Sequence, residues 1–237
     1  MPAVLVPLPD RDFDTTEVSI PWKYLFASGV RVVFATEEGR AAETDPRLLT
    51  GVIFGRLGAG PGAIAAYRQL KEDGSFRHPI TYEEIEPDRF DAVLLPGGHA
   101  KGMRQYLEST TLREKILAFY RKERIIAAIC HGVLVPARTI DPTTGLSILF
   151  NHRATAFLKV LEQTSFYLTA WKLGDYYRTY PEYVEDEVTQ ALGGPEHFIH
   201  GRSIREPLVV EDGVFMTARW PGDARFFAER IAGRIAG

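Results

Sequence analysis

The segment IIAAICHGVLVPA, residues 125–137, constrains the fold more than any other part of the chain, because it holds the only cysteine among 237 residues. Its first five residues are apolar and mostly β-branched, a pattern that predicts a strand buried within a parallel sheet. Gly132 follows Cys130 by two positions, and a helix-compatible run begins there. A cysteine between a strand and a helix lies on a sharp turn, the nucleophile elbow, which exposes a Ser or Cys above an α/β sheet.

This position on the turn suggests a chemical role for Cys130. The amide groups at a helix N-terminus favour a thiolate, so the pattern predicts a lowered pKa for the Cys130 thiol. His131 adds a group that titrates near neutral pH. The alternative is that Cys130 is an inert core residue, since free cysteines are often buried as small apolar side chains. The turn favours the reactive interpretation.

Short apolar runs alternate with helix-compatible segments along the chain. Strands are predicted at 3–8, 30–35, 91–95 and 125–129, with helices at 62–71, 110–121 and 223–235, the last capped by Asp223. A further helix contains Glu17 and ends near Ser28, and Asp212–Gly213 marks a hairpin turn. This alternation predicts an α/β fold with a mostly parallel sheet and helices on both faces.

The candidate functional residues follow the predicted strands. In a parallel sheet, the ligand crevice lies beyond the carboxyl ends of the strands. The loop before Glu17, the segment Gly97–His99 and the pair Cys130–His131 all fall at such ends or just after them. The sequence therefore predicts that Glu17, Gly98 and Cys130 share one rim of the sheet.

Composition excludes several classes of function. Hydrophobic residues make up 45% of the chain and charged residues 25%, as in ordinary globular proteins. The net charge of −3, with scattered basic residues, gives no electrostatic footprint for nucleic acid. No apolar stretch approaches the roughly 20 residues needed to cross a bilayer, and the N-terminus lacks a signal-peptide pattern. We therefore expect a cytoplasmic protein with neither nucleic-acid nor membrane partners.

A single cysteine excludes an intrachain disulfide and a cysteine-based zinc cluster. His152, His197 and His200 are scattered without the spacing of metal ligands. We therefore expect no metal. The chain has no linker-like stretch or internal repeat, which favours one domain over residues 1–237.

Two glycine-rich motifs carry a family resemblance. LLPGGHA (94–100) and AAICHG (127–132) resemble the ThiJ/PfpI branch of the class I glutamine amidotransferase-like fold. Glu17 followed by VSIPW, together with FATEEG at 34–39, is similar to the glyoxalase III and heat-shock chaperone branch. The resemblance covers roughly residues 1–165. It implies a flavodoxin-like three-layer sandwich, with insertions near 40–88 and 166–207.

The resemblance also implies a cysteine-centred site. Cys130 matches the nucleophile, and His131 matches the catalytic histidine. Glu17 matches the acid that contacts the cysteine sulfur. The backbone N–H groups of Gly98 and His131 match an oxyanion hole, which stabilises negative charge developing on a carbonyl oxygen.

The third member of the triad is open among three carboxylates. Counting on from DPTTG (141–145) without a gap reaches Glu162, which would hold the His131 ring in one tautomer. Asp186 and Glu187 are competing candidates, and Glu162 is otherwise a solvated helix residue.

Three further residues are expected at the substrate pocket. Gly97 and His99 belong to the glycine motif, although His99 is equally well interpreted as a half-exposed loop residue. Trp220 stands where the family often carries a polar or small group, which predicts a pocket of different shape.

The insertion 166–207 is rich in aromatic residues, which suit a core, a pocket wall or a subunit interface. They are Phe166, Tyr167, Trp171, Tyr176, Tyr177, Tyr180 and Tyr183. We expect a homodimer on this basis.

The leading functional hypothesis is a cofactor-independent cysteine enzyme that acts on small carbonyl compounds. The resemblance implies a glyoxalase III-like conversion of a 2-oxoaldehyde, such as methylglyoxal, to a 2-hydroxy acid, or a related deglycase or amidase reaction. The alternative is a stress-response chaperone or redox sensor with little catalysis, because an accessible cysteine of low pKa is readily oxidised.

Overall fold

The computed structural model describes residues 1–236 and shows a parallel sheet enclosed by helices. The strands are β1 (Ala3–Pro7), β2 (Arg11–Phe13), β3 (Arg31–Thr36), β4 (Glu43–Thr44), β5 (Ile80–Thr81), β6 (Ala92–Leu95), β7 (Ile125–Ile129), β8 (Ile140–Asp141), β9 (Leu146–Ser147), β10 (Val209–Asp212) and β11 (Phe215–Ala218). The helices are α1 (Thr15–Ala27), α2 (Pro46–Thr50), α3 (Pro61–Leu70), α4 (Gly74–Arg77), α5 (Arg104–Glu108), α6 (Thr110–Arg121), α7 (Leu134–Ala137), α8 (Lys159–Leu173), α9 (Val184–Leu192) and α10 (Ala224–Ala236).

The main sheet has seven strands in the order β10-β11-β7-β6-β1-β3-β5. Every neighbouring pair is parallel except β10 and β11, which form the predicted antiparallel hairpin. Two small two-stranded sheets, β2 with β4 and β8 with β9, lie outside it. The α/β class and the mostly parallel sheet predicted from the sequence are confirmed.

The central strands are continuous apolar runs because both faces of the sheet are covered. Every residue of β1 and β6 is buried, and so is all of β7 except Ile125. Helix α1 packs against α3 and α10, while α7 packs against α6 and α9. The predicted strands and helices agree with the observed ones to within about two residues. None of the helices within residues 1–236 is long and apolar enough to cross a membrane.

The start of α1 is fixed by an Asp cap. The Asp14 side chain accepts hydrogen bonds from the backbone N–H groups of Thr16 and Glu17, at 2.7 and 3.0 Å. These bonds satisfy N–H groups that have no partner inside the helix. The cap therefore sets the position of Glu17 in the first turn of α1.

The prediction that Asp223 caps the last helix needs correction. Its carboxylate binds groups that precede the helix: Arg219 donates from Nε and Nη2 at 2.9 Å each, and the backbone N–H of Leu208 donates at 3.1 Å. Both side chains of this ion pair are fully buried. A buried Arg requires a paired charge, and this requirement takes precedence over the capping role.

Removing the carboxylate of Asp223 leaves the Arg219 charge buried and unpaired. We expect Asp223→Ala to lower the free energy of unfolding by about 3–5 kcal/mol. Glu229→Ala is the control, because it breaks an Arg225–Glu229 pair of similar length, 3.0 Å, in which Arg225 is exposed. Urea denaturation measures both variants, and a comparable loss in the two would contradict the explanation.

Candidate active site

Cys130 occupies a strained turn at the end of β7. Its φ of 59° lies in the left-handed region, which non-glycine residues seldom adopt. The chain continues through a 3₁₀ turn, Cys130–Val133, into the short helix α7. A β-carbon on Gly132 would lie 2.1 Å from the carbonyl oxygen of Leu95, so only glycine fits where the elbow crosses β6. Strain of this kind concentrates at functional sites.

Three loops meet around the cysteine. The N–H of Gly97 donates to Oε2 of Glu17 at 2.8 Å, and the N–H of Asp14 donates to the Gly97 carbonyl at 2.8 Å. A β-carbon on Gly97 would lie 2.9 Å from both Cβ of Cys130 and Oε2 of Glu17. Glu17, Gly97 and Cys130 are therefore neighbours at one rim of the sheet.

Glu17 is fully buried, and this burial raises its pKa well above the usual range. The charge of Asp14 is the second, smaller cause of the raised pKa. Burial likewise raises the pKa of Asp14 to about 6. The second carboxyl oxygen of Glu17, Oε1, is buried without a conventional hydrogen-bond partner among residues 1–236. A hydrogen bond with the side chain of Cys130 acts to lower the pKa of Glu17. Burial therefore favours the protonated form of Glu17, and a protonated carboxyl does not repel a thiolate.

The predicted lowering of the Cys130 pKa is wrong. Burial raises the pKa of this thiol well above its usual range, and the charge of nearby Asp14 acts in the same direction. The backbone N–H of His131 acts in the opposite direction. The helix after the elbow has only four residues and follows a 3₁₀ turn, so few amide dipoles oppose the burial. The resting cysteine is a thiol.

His131 lies beside that thiol as a neutral base. Its Nδ1 is 3.5 Å from Sγ of Cys130. Burial lowers the pKa of His131 well below its usual range, and nearby His99 and Arg138 act in the same direction. A neutral imidazole can accept the thiol proton when sulfur attacks a substrate.

Thr179 fixes the tautomer of His131. Its hydroxyl donates to the carbonyl of His99 at 2.6 Å and lies 3.3 Å from Nε2 of His131. Because a carbonyl only accepts, the hydroxyl proton points at His99, and the hydroxyl oxygen accepts from Nε2–H. Nδ1 is then the unprotonated nitrogen, and it faces the sulfur.

The predicted hydrogen bond between Glu162 and His131 is wrong. Glu162 accepts from Nη1 of Arg178 at 2.9 Å and from the backbone N–H of Val184 at 3.0 Å. Burial raises its pKa to about 7. Its two partners flank Thr179, so Glu162 braces the segment that carries this residue.

The competing carboxylates also have other partners. Asp186 pairs with Lys159 at 2.7 Å, and Glu187 pairs with Arg138 at 2.6 Å. The observed partner of His131 comes instead from the 166–207 insertion, at Thr179. No motif singles out a lone threonine there, and only its structural position identifies it.

His99 and Phe157 enclose the other side of the His131 ring. The His99 ring centroid is 4.9 Å from that of His131 and 4.4 Å from that of Phe157. Burial lowers the pKa of His99 to about 4. His99, Cys130 and His131 each offer a metal-ligating atom, all within 4.8 Å of one another.

A cavity of about 330 Å³ adjoins this group. His99 and Trp220, both predicted at the substrate pocket, line it together with Phe157. The rest of the wall combines large aliphatic side chains with polar ones. The aliphatic residues are Leu48, Val52, Leu57, Leu161 and Leu168, and the polar ones are Asp14, Thr16, Thr164, Ser165, Thr169 and Tyr177. Cys130 is only 1% exposed, and neither it nor His131 lines the cavity. The lining residues His99 and Phe157 lie against the His131 ring, with ring centroids at 4.9 and 5.5 Å.

Gly98 lies in a crowded position against the loop that precedes α1. A β-carbon there would lie 2.6 Å from the Asp12 carbonyl oxygen and 2.9 Å from the Met103 sulfur. The oxyanion role of Gly98 and His131 stays a prediction.

The aromatic residues of the insertion divide into two groups. Tyr177 is buried, and its hydroxyl donates to Asp45 at 2.6 Å, whereas Tyr167 and Trp171 are 70% and 65% exposed. The insertion therefore contributes a cavity wall, while the expected homodimer stays a prediction.

Comparisons with known proteins agree with this architecture. The model of the family described as ThiJ/PfpI family-like matches residues 8–191. The probable glutathione-independent glyoxalase hsp3103 of Schizosaccharomyces pombe is 29% identical over 146 residues, which cover 61% of this chain and 52% of the relative. The deglycase PfpI of Pyrococcus furiosus is 28% identical over 145 residues, covering 59% and 68%. The chain spans about half the length of hsp3103 and of a second fission-yeast relative, 52% of each.

Solved structures share the fold at low identity. Glyoxalase III from Candida albicans superposes with a TM-score of 0.73 at 18% identity, covering 98% of this chain and 96% of that one. The Francisella tularensis rapid encystment protein of 24 kDa gives 0.76 at 19% identity, covering 99% of each. The fold is thus a parallel α/β sandwich with a cysteine elbow, and the chain belongs to the ThiJ/PfpI family.

The raised pKa of Cys130 predicts slow alkylation at neutral pH. We expect the iodoacetamide rate to rise with pH to a midpoint above the value of about 8.5 for a free thiol. The same protein in denaturant supplies the reference, because Cys130 is its only cysteine. A native midpoint below the denatured one would contradict the assignment of a resting thiol.

The assigned tautomer predicts a spectroscopic effect of Thr179. In wild-type protein, ¹⁵N NMR of the His131 ring should show a proton on Nε2 and none on Nδ1. Thr179→Val removes the acceptor, and we expect a mixture of tautomers. Thr179→Ser keeps the hydroxyl and should restore the wild-type spectrum. Identical spectra for the Val variant and the wild type would show that Thr179 does not orient the ring.

Proposed function

We propose that this protein is a cofactor-independent cysteine enzyme that converts 2-oxoaldehydes to 2-hydroxy acids, as a glyoxalase III does. The observation that carries the proposal is the relay Cys130–His131–Thr179, in which a neutral imidazole nitrogen faces a thiol at 3.5 Å. Relatives named glyoxalase and deglycase support this class of chemistry.

The first step forms a bond between the Cys130 sulfur and the aldehyde carbon. As sulfur attacks, the carbonyl electron pair moves to the aldehyde oxygen, and the thiol proton passes to Nδ1 of His131. The oxyanion then takes this proton from His131 and becomes the hydroxyl of a hemithioacetal, which leaves the imidazole neutral again. In this proposal, the N–H groups of Gly98 and His131 stabilise the oxyanion.

The second step is an internal oxidation and reduction. With His131 or Glu17 as base and acid, the C–H proton leaves the former aldehyde carbon, and a proton is added to the adjacent ketone carbon. The hemithioacetal hydroxyl loses its proton, and the oxygen of the former ketone gains one. The former aldehyde carbon is oxidised to a thioester while the former ketone carbon is reduced to an alcohol, so no external oxidant is needed. Water then cleaves the thioester, which releases the 2-hydroxy acid and the thiol.

The cavity favours substrates larger than methylglyoxal. Its volume of about 330 Å³ falls within the range of roughly 300–1,000 Å³ typical of small-molecule pockets. Methylglyoxal carries only a methyl group beyond its two carbonyls and leaves most of this space unfilled. The aliphatic and aromatic side chains that line it suit a larger apolar substituent. Each buried Å² of such a group contributes about 25 cal/mol to binding.

A substrate panel tests the proposal. We expect turnover of methylglyoxal and phenylglyoxal but not of a simple amide, with kcat/KM about tenfold higher for phenylglyoxal, since its ring buries apolar area. NMR should identify the 2-hydroxy acid. Cys130→Ala should abolish turnover, with circular dichroism as the folding control. Amide hydrolysis without 2-oxoaldehyde turnover would overturn the glyoxalase assignment, and unchanged turnover in Cys130→Ala would overturn the mechanism.

An exposed apolar surface favours a second candidate function. Phe54, Tyr167 and Trp171 are 81%, 70% and 65% exposed, and the rings of Phe54 and Trp171 lie 6.1 Å apart. Such a surface suits a chaperone that holds unfolded chains. Suppression of aggregation that persists in Cys130→Ala and fails in Trp171→Ser would support this function as separate from catalysis.

A further inference from the structure

We propose that His99, Cys130 and His131 form a zinc site with three protein ligands and one open coordination position. One ligand atom from each residue lies within 4.8 Å of the other two. Two imidazoles and one thiolate are nitrogen and sulfur ligands that Zn²⁺ prefers, whereas Ca²⁺ and Mg²⁺ take oxygen ligands. The sequence did not predict this site, because His99 is far from the elbow along the chain.

The separation of sulfur and nitrogen already suits a tetrahedral ion. Zinc bonds of about 2.3 Å to sulfur and about 2.0–2.1 Å to nitrogen place those two ligand atoms about 3.5 Å apart at a tetrahedral angle. The observed distance between Sγ of Cys130 and Nδ1 of His131 is 3.5 Å. These two ligands therefore need no rearrangement around the ion.

His99 supplies an unused nitrogen at the third position. Its Nε2 is buried and has no hydrogen-bond partner within the described part of the chain. A buried polar atom without a partner is unfavourable, and coordination of a metal removes this penalty. The His99 ring lies against those of His131 and Phe157, and its ligand atom is within 4.8 Å of those of Cys130 and His131. A side-chain rotation of His99 would complete the set.

Thr179 orients the His131 ligand. Because its hydroxyl accepts from Nε2–H of His131, the lone pair on Nδ1 points toward the sulfur. Histidine ligands commonly donate their second N–H to such a partner, and its loss weakens metal binding by about 10–100-fold. The same contact therefore serves proton transfer in the metal-free protein and coordination in the metal-bound one.

Zinc binding would switch off the reaction proposed above. The ion takes the lone pair of Nδ1 and the sulfur, which are the base and the nucleophile. This consequence rests on the proposed function, whereas the binding itself does not. We therefore expect zinc and substrate to exclude each other.

Calorimetry on chelator-treated protein tests the site without any turnover. We expect one Zn²⁺ per chain, with Cys130→Ser and His99→Asn each weakening binding by at least about tenfold. Thr179→Val should weaken it by about 10–100-fold. His152→Asn is the matched control, since His152 is also partly buried but pairs with Asp212 at 3.4 Å, outside the cluster. Circular dichroism verifies that each variant folds.

Absorption spectroscopy with Co²⁺ tests the same site in the wild-type protein. Co²⁺ bound by a thiolate shows a sulfur-to-metal charge-transfer band in the near ultraviolet, which Zn²⁺ should bleach. Absence of the band, or wild-type zinc affinity in either Cys130→Ser or His99→Asn, would overturn the site. Zinc binding by a protein that turns over no 2-oxoaldehyde would refute the proposed function alone. Binding together with turnover that zinc leaves unchanged would refute the inhibitory role.

Discussion

The close approach of backbone segments at the ends of β6 and β7 is the constraint on which the rest of the site depends. Gly132 passes so near the Leu95 carbonyl that no side chain fits between them, and Gly97 lies directly against Cys130. This contact holds Cys130 in its left-handed conformation and brings the N–H of Gly97 to Glu17. A β-carbon at either glycine would separate the two strand ends and disperse the acid, the thiol and the imidazole.

Most of the fold and half of the site could be predicted from the sequence. The apolar runs around β1, β6 and β7 predict buried parallel strands. In a sheet covered on both faces, polar and apolar residues do not alternate along the strand. The rim containing Glu17 and Cys130 follows from parallel topology alone. Motif spacing was reliable here because each motif lies immediately beside a strand end.

The wrong predictions concern residues whose partners or burial are determined by packing between distant parts of the chain. The Cys130 pKa was misjudged because sequence shows a helix start but not its length or the depth of burial. Glu162 was misassigned because ungapped counting cannot detect that the later segment folds back and presents Thr179 to His131. The local sequence around Asp223 is typical of a helix cap, yet its carboxylate pairs with the buried Arg219. In each case a non-local partner determined the role of a residue whose local pattern was clear.

The hydroxyl group behind His131 has a consequence for the lifetime of charge in the site. A carboxylate in that position would stabilise an imidazolium ion, as an acyl-transfer triad requires while it waits for a leaving group. Thr179 carries no charge, and the nearby Arg138 and Arg178 disfavour a further positive charge on His131. A proton accepted by this ring must therefore be passed on quickly. Such a base suits steps in which the proton is returned at once, and it is poorly suited to steps that hold the proton until a second half-reaction.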